Sequence, residues 1–121
     1  RFAMVRDALD EARAEAPVDG VFATDDLAAA EVLEWARTRN LSVPADLSII
    51  GFDGTETMRR ALPHLATIRQ PIEDIARAAV SILLDQIEGK APRSSSDEAG
   101  APHAQTVEFS GTLIQGRSIN A

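Results

Sequence analysis

Val18-Asp19-Gly20-Val21-Phe22-Ala23-Thr24, then Asp25-Asp26, then a helical stretch from Leu27 to Arg39, then Leu47-Ser48-Ile49-Ile50-Gly51-Phe52: this passage decides the fold. The first run is short, apolar and of strand character. Asp25 and Asp26 are both good helix N-cap types. Ala29, Val32, Leu33 and Ala36 recur at helical spacing and mark a buried face. Arg37 and Arg39 complement the dipole in the last turn. Asn40 suits a left-handed cap, and Leu41 can cover the helix end. After the turn at Val43-Pro44-Ala45-Asp46, the second run is nearly all apolar and β-branched at its centre. A strand without polar alternation is expected to be buried on both faces, as in a parallel sheet. Strand, helix and strand of these lengths form a βαβ unit, with a right-handed crossover.

Upstream, Phe2, Val5, Leu9 and Ala12 predict a helix that ends near Glu15, because Pro17 cannot continue it. That helix opens without a capping residue, and the chain starts at Arg1, so the sequence reads as cut from something longer. Downstream, Gly54 to Leu65 is a loop with room for one helical turn. Ala66-Thr67-Ile68-Arg69 is short and strand-like. Pro71 suits the first position of a third helix, with Glu73 and Asp74 in its first turn. Ile72, Ile75, Ala76, Ala79, Val80, Leu83 and Ile87 form one apolar stripe on it, most simply a core face, with partner binding as the alternative, and Gly89 ends it. Lys90 to Ala104, rich in Ser, Gly and Pro, is expected to be a flexible loop. Gln105 to Phe109 and Thr112 to Gln115 read as two short extended segments. Three strong helices accompany only two convincing parallel strands, so the sheet looks incomplete and in need of a further segment or chain.

Composition narrows the function classes. The 121 residues suffice for one modest domain. A chain of this size buries roughly two-thirds of its extended surface. Apolar residues make up 45%, with no run long enough to span a bilayer. There are no cysteines, which excludes disulfides and thiolate metal sites. The formal charge is −7, and clustered Lys and Arg are lacking, so this segment alone is not expected to bind a phosphate backbone.

Asp25 and Asp53 each follow the carboxyl end of an expected parallel strand, where ligands of open α/β sheets bind. Two carboxylates there can accept hydrogen bonds from sugar hydroxyls. The simpler alternative is that Asp25 or Asp26 only caps the helix and Asp53 only shapes a turn. Asp25, Asp26 and Asp53 also have the residue types of a Mg²⁺-binding acidic cluster, with Arg69 the one candidate cation for a phosphoryl site. His64 and His103 lack a paired nucleophile and read as surface residues, and Ser94 to Ser96 form no nucleophile elbow. Trp35 sits beside the apolar helix face and is expected to pack there rather than stack on a sugar. Gly51-Phe52-Asp53-Gly54 lacks the spacing of a phosphate loop.

Five pieces together resemble the lactose/galactose-repressor (LacI/GalR) family of transcription regulators. They are Asp19 to Ala29, Val43 to Asp53, Leu65-Ala66-Thr67-Ile68-Arg69-Gln70-Pro71, the third helix through Ile87-Glu88-Gly89, and Leu113-Ile114 with Arg117-Ser118. The second and third carry most of the specificity. The resemblance implies an α/β fold of the periplasmic-binding-protein type (type I), present in part. Residues 1–66 and 112–121 would belong to the C-terminal effector-binding subdomain. Residues 67–111 would supply the crossover, with the last helix and strand of the N-terminal subdomain and the flexible loop 90–104. The DNA-binding domain and most of the N-terminal subdomain would be absent.

The resemblance further implies a cytoplasmic homodimer that senses a small, sugar-like effector and reaches operator DNA through the missing N-terminal domain. Leu27 to Arg39 and Thr55 to Leu62 would form dimer surface. No enzyme activity, metal, cofactor or membrane contact is implied. Effector contacts carry over to Asp25, from the family's Asn-Asp pair, and to Asp53, from its Gly-Phe-Asp-Asp. This sequence departs from the pattern at both motifs: Asp25 replaces the usual Asn, and Gly54 replaces the second Asp. Gly116-Arg117-Ser118 stands where Arg-Gly-Ser is usual. An extra carboxylate would favour an amine-bearing ligand over a neutral sugar. The same fold and cleft also serve the sugar-binding receptors of ABC-type transport systems, which is the alternative reading.

Overall fold

A computed structural model describes residues 2–90 and 106–120. The elements run α1 (Phe2–Glu15), β1 (Gly20–Phe22), α2 (Asp26–Thr38), β2 (Ser48–Asp53), α3 (Glu56–Ala61), β3 (Ala66–Arg69), α4 (Ile72–Ile87) and β4 (Thr112–Ile114). The chain divides into two compact units, residues 1–70 with 111–121, and residues 71–110.

The first unit holds a four-stranded sheet in the order β1-β2-β3-β4. β1, β2 and β3 run parallel, with Val21 opposite Ile49 and Gly51 opposite Thr67. β4 returns antiparallel, placing Leu113 opposite Ile68. The β-branched centre of β2 suits its place between two neighbours, since a pleated, half-buried surface favours such side chains. α2 covers one face of the sheet. Ala29, Val32, Trp35 and Ala36 pack there with Leu47, Ile49 and Leu65 as the core. α1 adds Val5 and Leu9 to the margin of that core. Asn40 takes φ 55 just after α2, as the left-handed cap reading requires.

The expectation that β2 is buried on both faces is corrected. Ile49 and Gly51, toward α2, are buried, whereas Ser48, Ile50 and Phe52 on the other face are only half-buried. Phe22, on that same face, is 63% exposed and meets Phe52 edge-to-face at 6.3 Å between ring centroids. Within this unit the α2 residues Ala29, Val32, Trp35 and Ala36 pack with Ile49, so period-two burial replaces two-sided burial.

Ser118 closes the lower end of the sheet. Its hydroxyl donates to Ile49 O at 2.6 Å and accepts from Ala66 N at 2.7 Å. One buried side chain thereby bonds to both β2 and β3 near their amino ends.

In the second unit, α4 starts one residue later than its sequence suggests. Pro71 is its N-cap and not its first helical residue. Gly89, at φ 71, ends it as expected. None of its residues is buried, so the apolar stripe is not a core face within the described residues. The stripe is present, but an amphipathic helix buries its face only where another element is laid on it. The expected extended segment at 105–109 forms no strand over its described residues 106–109, because none of the described strands pairs with it. Residues 91–104 of the expected flexible loop lie outside the described residues.

Candidate functional site

Asp53 is the last residue of β2, and Asp25 follows the carboxyl end of the neighbouring parallel strand β1. Ala23 N still donates to Ile50 O at 2.8 Å, which keeps the two strands paired almost to Asp25. Beyond that bond the chain parts, and Asp25 is the N-cap of α2. Its side chain accepts from Ala28 N at 2.6 Å, in extended backbone geometry. The capping reading of Asp25 is therefore correct as local structure. The carboxylate stands half-exposed at this position.

Asp53 does more than shape a turn. Its backbone sits at φ 114, a region that costs a non-glycine residue on the order of 1–3 kcal/mol and persists only where surrounding structure enforces it. Here the enforcement is visible. Gln70 Nε2 donates to Asp53 Oδ1 at 2.6 Å, and Gln70 N donates to Asp53 O at 3.1 Å. The next residue, Gly54, takes φ 62, and a Cβ there would lie 2.8 Å from Arg69 Cα. Glycine is needed at that point for both its φ and its closeness to β3.

Asp26, read in the sequence as a cap or a cation ligand, has a role that neither reading gave. It is 2% exposed, and both carboxylate oxygens are engaged. Oδ1 accepts from Thr67 Oγ1 at 2.6 Å, and Oδ2 accepts from Gly54 N at 2.9 Å. A signal for it was present: glycine inside the apolar run of β2 marks a close approach. A Cβ on Gly51 would overlap Asp26 Oδ1. Gln70 was missed as well, and no local pattern singles it out.

The acidic-cluster reading does not survive as a cation site. Asp26 faces donors and not open space, and the described residues hold no group of three metal-ligating side chains. Arg69 lies exposed on β3. His64 is exposed beside an apolar depression lined by Leu33, Val43, Leu62 and Arg117, at the amino end of β3 and away from Asp25 and Asp53. His103 and Ser94 to Ser96 lie outside the described residues. Trp35 is fully buried in the core, as packing requires. No helix among the described residues is long and apolar enough to cross a membrane.

The chain is similar to known proteins in sequence and in fold. The sequence profile of the periplasmic binding protein-like domain matches residues 1–119. The sucrose operon repressor of Streptococcus mutans is 44% identical over 70 residues, covering 58% of this chain and 22% of the repressor. The repressor CytR of Escherichia coli is 42% identical over 80 residues, 66% of this chain and 24% of its own length. The chain thus spans about a quarter of these relatives. In structure, the regulator CelR bound to cellobiose matches with a TM-score of 0.75 at 26% identity, over 97% of this chain and 32% of that one. A LacI-family regulator from Arthrobacter in complex with lactose matches with a TM-score of 0.71 at 29% identity, over 96% of this chain and 40% of that one. The chain belongs to the periplasmic binding protein-like domain family, and the relatives it aligns with are repressors of the LacI type.

Proposed function

We propose that this chain is the effector-sensing region of a LacI-type transcription regulator, and that Asp25 and Asp53 accept hydrogen bonds from a sugar-like effector. The observation that carries this reading is Asp53, a carboxylate kept at φ 114 at the end of β2, next to β1, which Asp25 follows by three residues. Backbone strain of this kind clusters at ligand sites because a fixed acceptor loses little freedom on binding. Support comes from the partners named in two solved neighbours, cellobiose and lactose, both rich in hydroxyl donors. The repressors among the relatives favour a regulator over a transport receptor.

On this reading the intact protein is a cytoplasmic homodimer that binds operator DNA through a domain outside this chain. Effector occupancy biases it between two states that differ in DNA affinity. Such coupling needs different effector affinity in the two states, commonly about 1–3 kcal/mol. The region itself is a binding module and not an enzyme, and the reading requires neither metal nor cofactor.

Calorimetric titration of the intact protein with lactose, cellobiose and a panel of monosaccharides tests it. Asp53→Asn is expected to weaken the sugar that binds by about tenfold or more, about 1.4 kcal/mol. Equal affinity in the variant would remove Asp53 from the site.

A further inference from the structure

We infer that Asp26 is a positioning residue: its buried carboxylate sets where the Asp53–Gly54 loop stands relative to β3, and so aims Asp53. The inference deepens the effector-site reading and rests on it for its functional meaning. Three segments meet at this one side chain. Asp26 is the first residue of α2, directly after the capping Asp25. Gly54 N, which donates to Oδ2 at 2.9 Å, directly follows Asp53. Thr67 Oγ1, which donates to Oδ1 at 2.6 Å, belongs to β3, two residues before the Arg69 backbone against which Gly54 lies. All three residues are buried, so water does not compete for these bonds.

The chemistry of the two donors decides which substitutions keep the contact. The backbone N–H of Gly54 only donates. The hydroxyl of Thr67 can donate or accept. Asparagine at position 26 can therefore keep the Gly54 bond with its oxygen while its amide faces Thr67 Oγ1 as donor. Alanine loses both bonds and leaves Gly54 N without its acceptor. Gly51 contributes by absence, since any Cβ there would displace Asp26 Oδ1. The segments that carry Asp25 and Asp53 are thus joined through their chain neighbours, Asp26 and Gly54.

The test is amide hydrogen exchange at Gly54 in the intact protein without added sugar. Asp26→Ala is expected to speed exchange at Gly54 by about tenfold or more, and Asp26→Asn to restore most of the protection. Ser118→Ala is the control, because it removes a buried hydroxyl bonded near the amino ends of the same strands. It should lower overall stability without singling out Gly54. If Asp26→Ala does not fold, Thr67→Val takes its place, with a smaller but specific loss of protection at Gly54. Exchange at Gly54 that is unchanged, or no faster than in Ser118→Ala, overturns the inference.

The same variants are titrated with lactose and cellobiose beside Asp53→Asn. Weaker binding in Asp26→Ala, with Asp26→Asn near the parent, supports the functional half. Weaker binding in Asp53→Asn but not in Asp26→Ala overturns that half while leaving the effector site in place. No change in Asp53→Asn, or no binding of either sugar by the parent, counts against the effector reading and leaves the exchange result to decide the positioning role.

Discussion

The indole N–H of Trp35 donates to Asp10 Oδ1 at 3.0 Å, so the largest core side chain of the sheet unit has its polar atom satisfied by a carboxylate on another helix. Arg39 completes the group. Its guanidinium lies 4.9 Å from the Trp35 ring centroid and also pairs with the second oxygen of Asp10. α1 is joined to α2 through this triad as well as through Val5 and Leu9. The Trp35 hydrogen bond, first, and the Arg39 charge hold the Asp10 carboxyl below its ordinary value of 3.8. A carboxylate with a lowered folded-state pKa adds stability that is present above the unfolded value and is lost as pH falls through the folded one. Asp10→Asn should therefore destabilise the intact protein near neutral pH, and the difference from the parent should shrink as the pH falls below the ordinary carboxylate value. Urea unfolding over an acid pH series checks this, and a difference that stays constant with pH would contradict it.

Ser118 makes the next prediction. Its hydroxyl is at once a donor to Ile49 O and an acceptor from Ala66 N, and the site is closed to water. Ser118→Ala strands a buried carbonyl and a buried N–H together, at about 1–3 kcal/mol for each group left unsatisfied. A loss of about 2 kcal/mol or more is expected in urea unfolding, with no change in the slope. Ser118→Thr keeps the hydroxyl, so it should retain more of the stability than alanine unless the added methyl overpacks the site.

How much of this was legible depends on whether the deciding contact is local. The βαβ passage reads out of the sequence because cap, helical period and apolar strand agree with one another between Val18 and Phe52. β3 reads out for the same reason, and the structure has it over Ala66–Arg69 as expected. Asp25 and Asp26 were not separable in sequence, since either suits a cap. Which one turns inward is decided 25 residues later by the missing Cβ of Gly51, a tertiary fact. Gln70 looks like any linker residue until β2 and β3 pair and bring it to Asp53. The stripe of α4 was legible as a stripe, but periodicity states only that a face is apolar and not what covers it.

Gly51 carries a prediction that separates backbone freedom from space. Its φ is ordinary, so alanine is not excluded by conformation, but the new Cβ would overlap Asp26 Oδ1 and approach Leu65 Cδ2 to 3.1 Å. Inserting a methyl into such packing costs about 1–3 kcal/mol. Gly51→Ala should destabilise in that range and also speed amide exchange at Gly54, because the carboxylate that holds it is pushed aside. A stability loss without any effect at Gly54 would mean that Leu65, and not Asp26, absorbs the added carbon.

Asp25 has two roles to tell apart, and the choice of substitution separates them. Asparagine and serine both serve as N-caps, whereas alanine does not and costs about 0.5–2 kcal/mol at such a position. Asp25→Ala is therefore expected to lower stability through the lost bond to Ala28 N, whatever else it does. Asp25→Asn should leave stability within a few tenths of a kcal/mol while it removes a negative charge and adds an amide donor. If Asp25 touches the effector, Asp25→Asn changes sugar affinity at constant stability, and it shifts preference away from any ligand that carries an amine. If Asp25 only caps α2, Asp25→Asn matches the parent in both measurements, and Asp25→Ala changes affinity no more than Ser118→Ala, a destabilised variant altered near the amino ends of β2 and β3, away from Asp25.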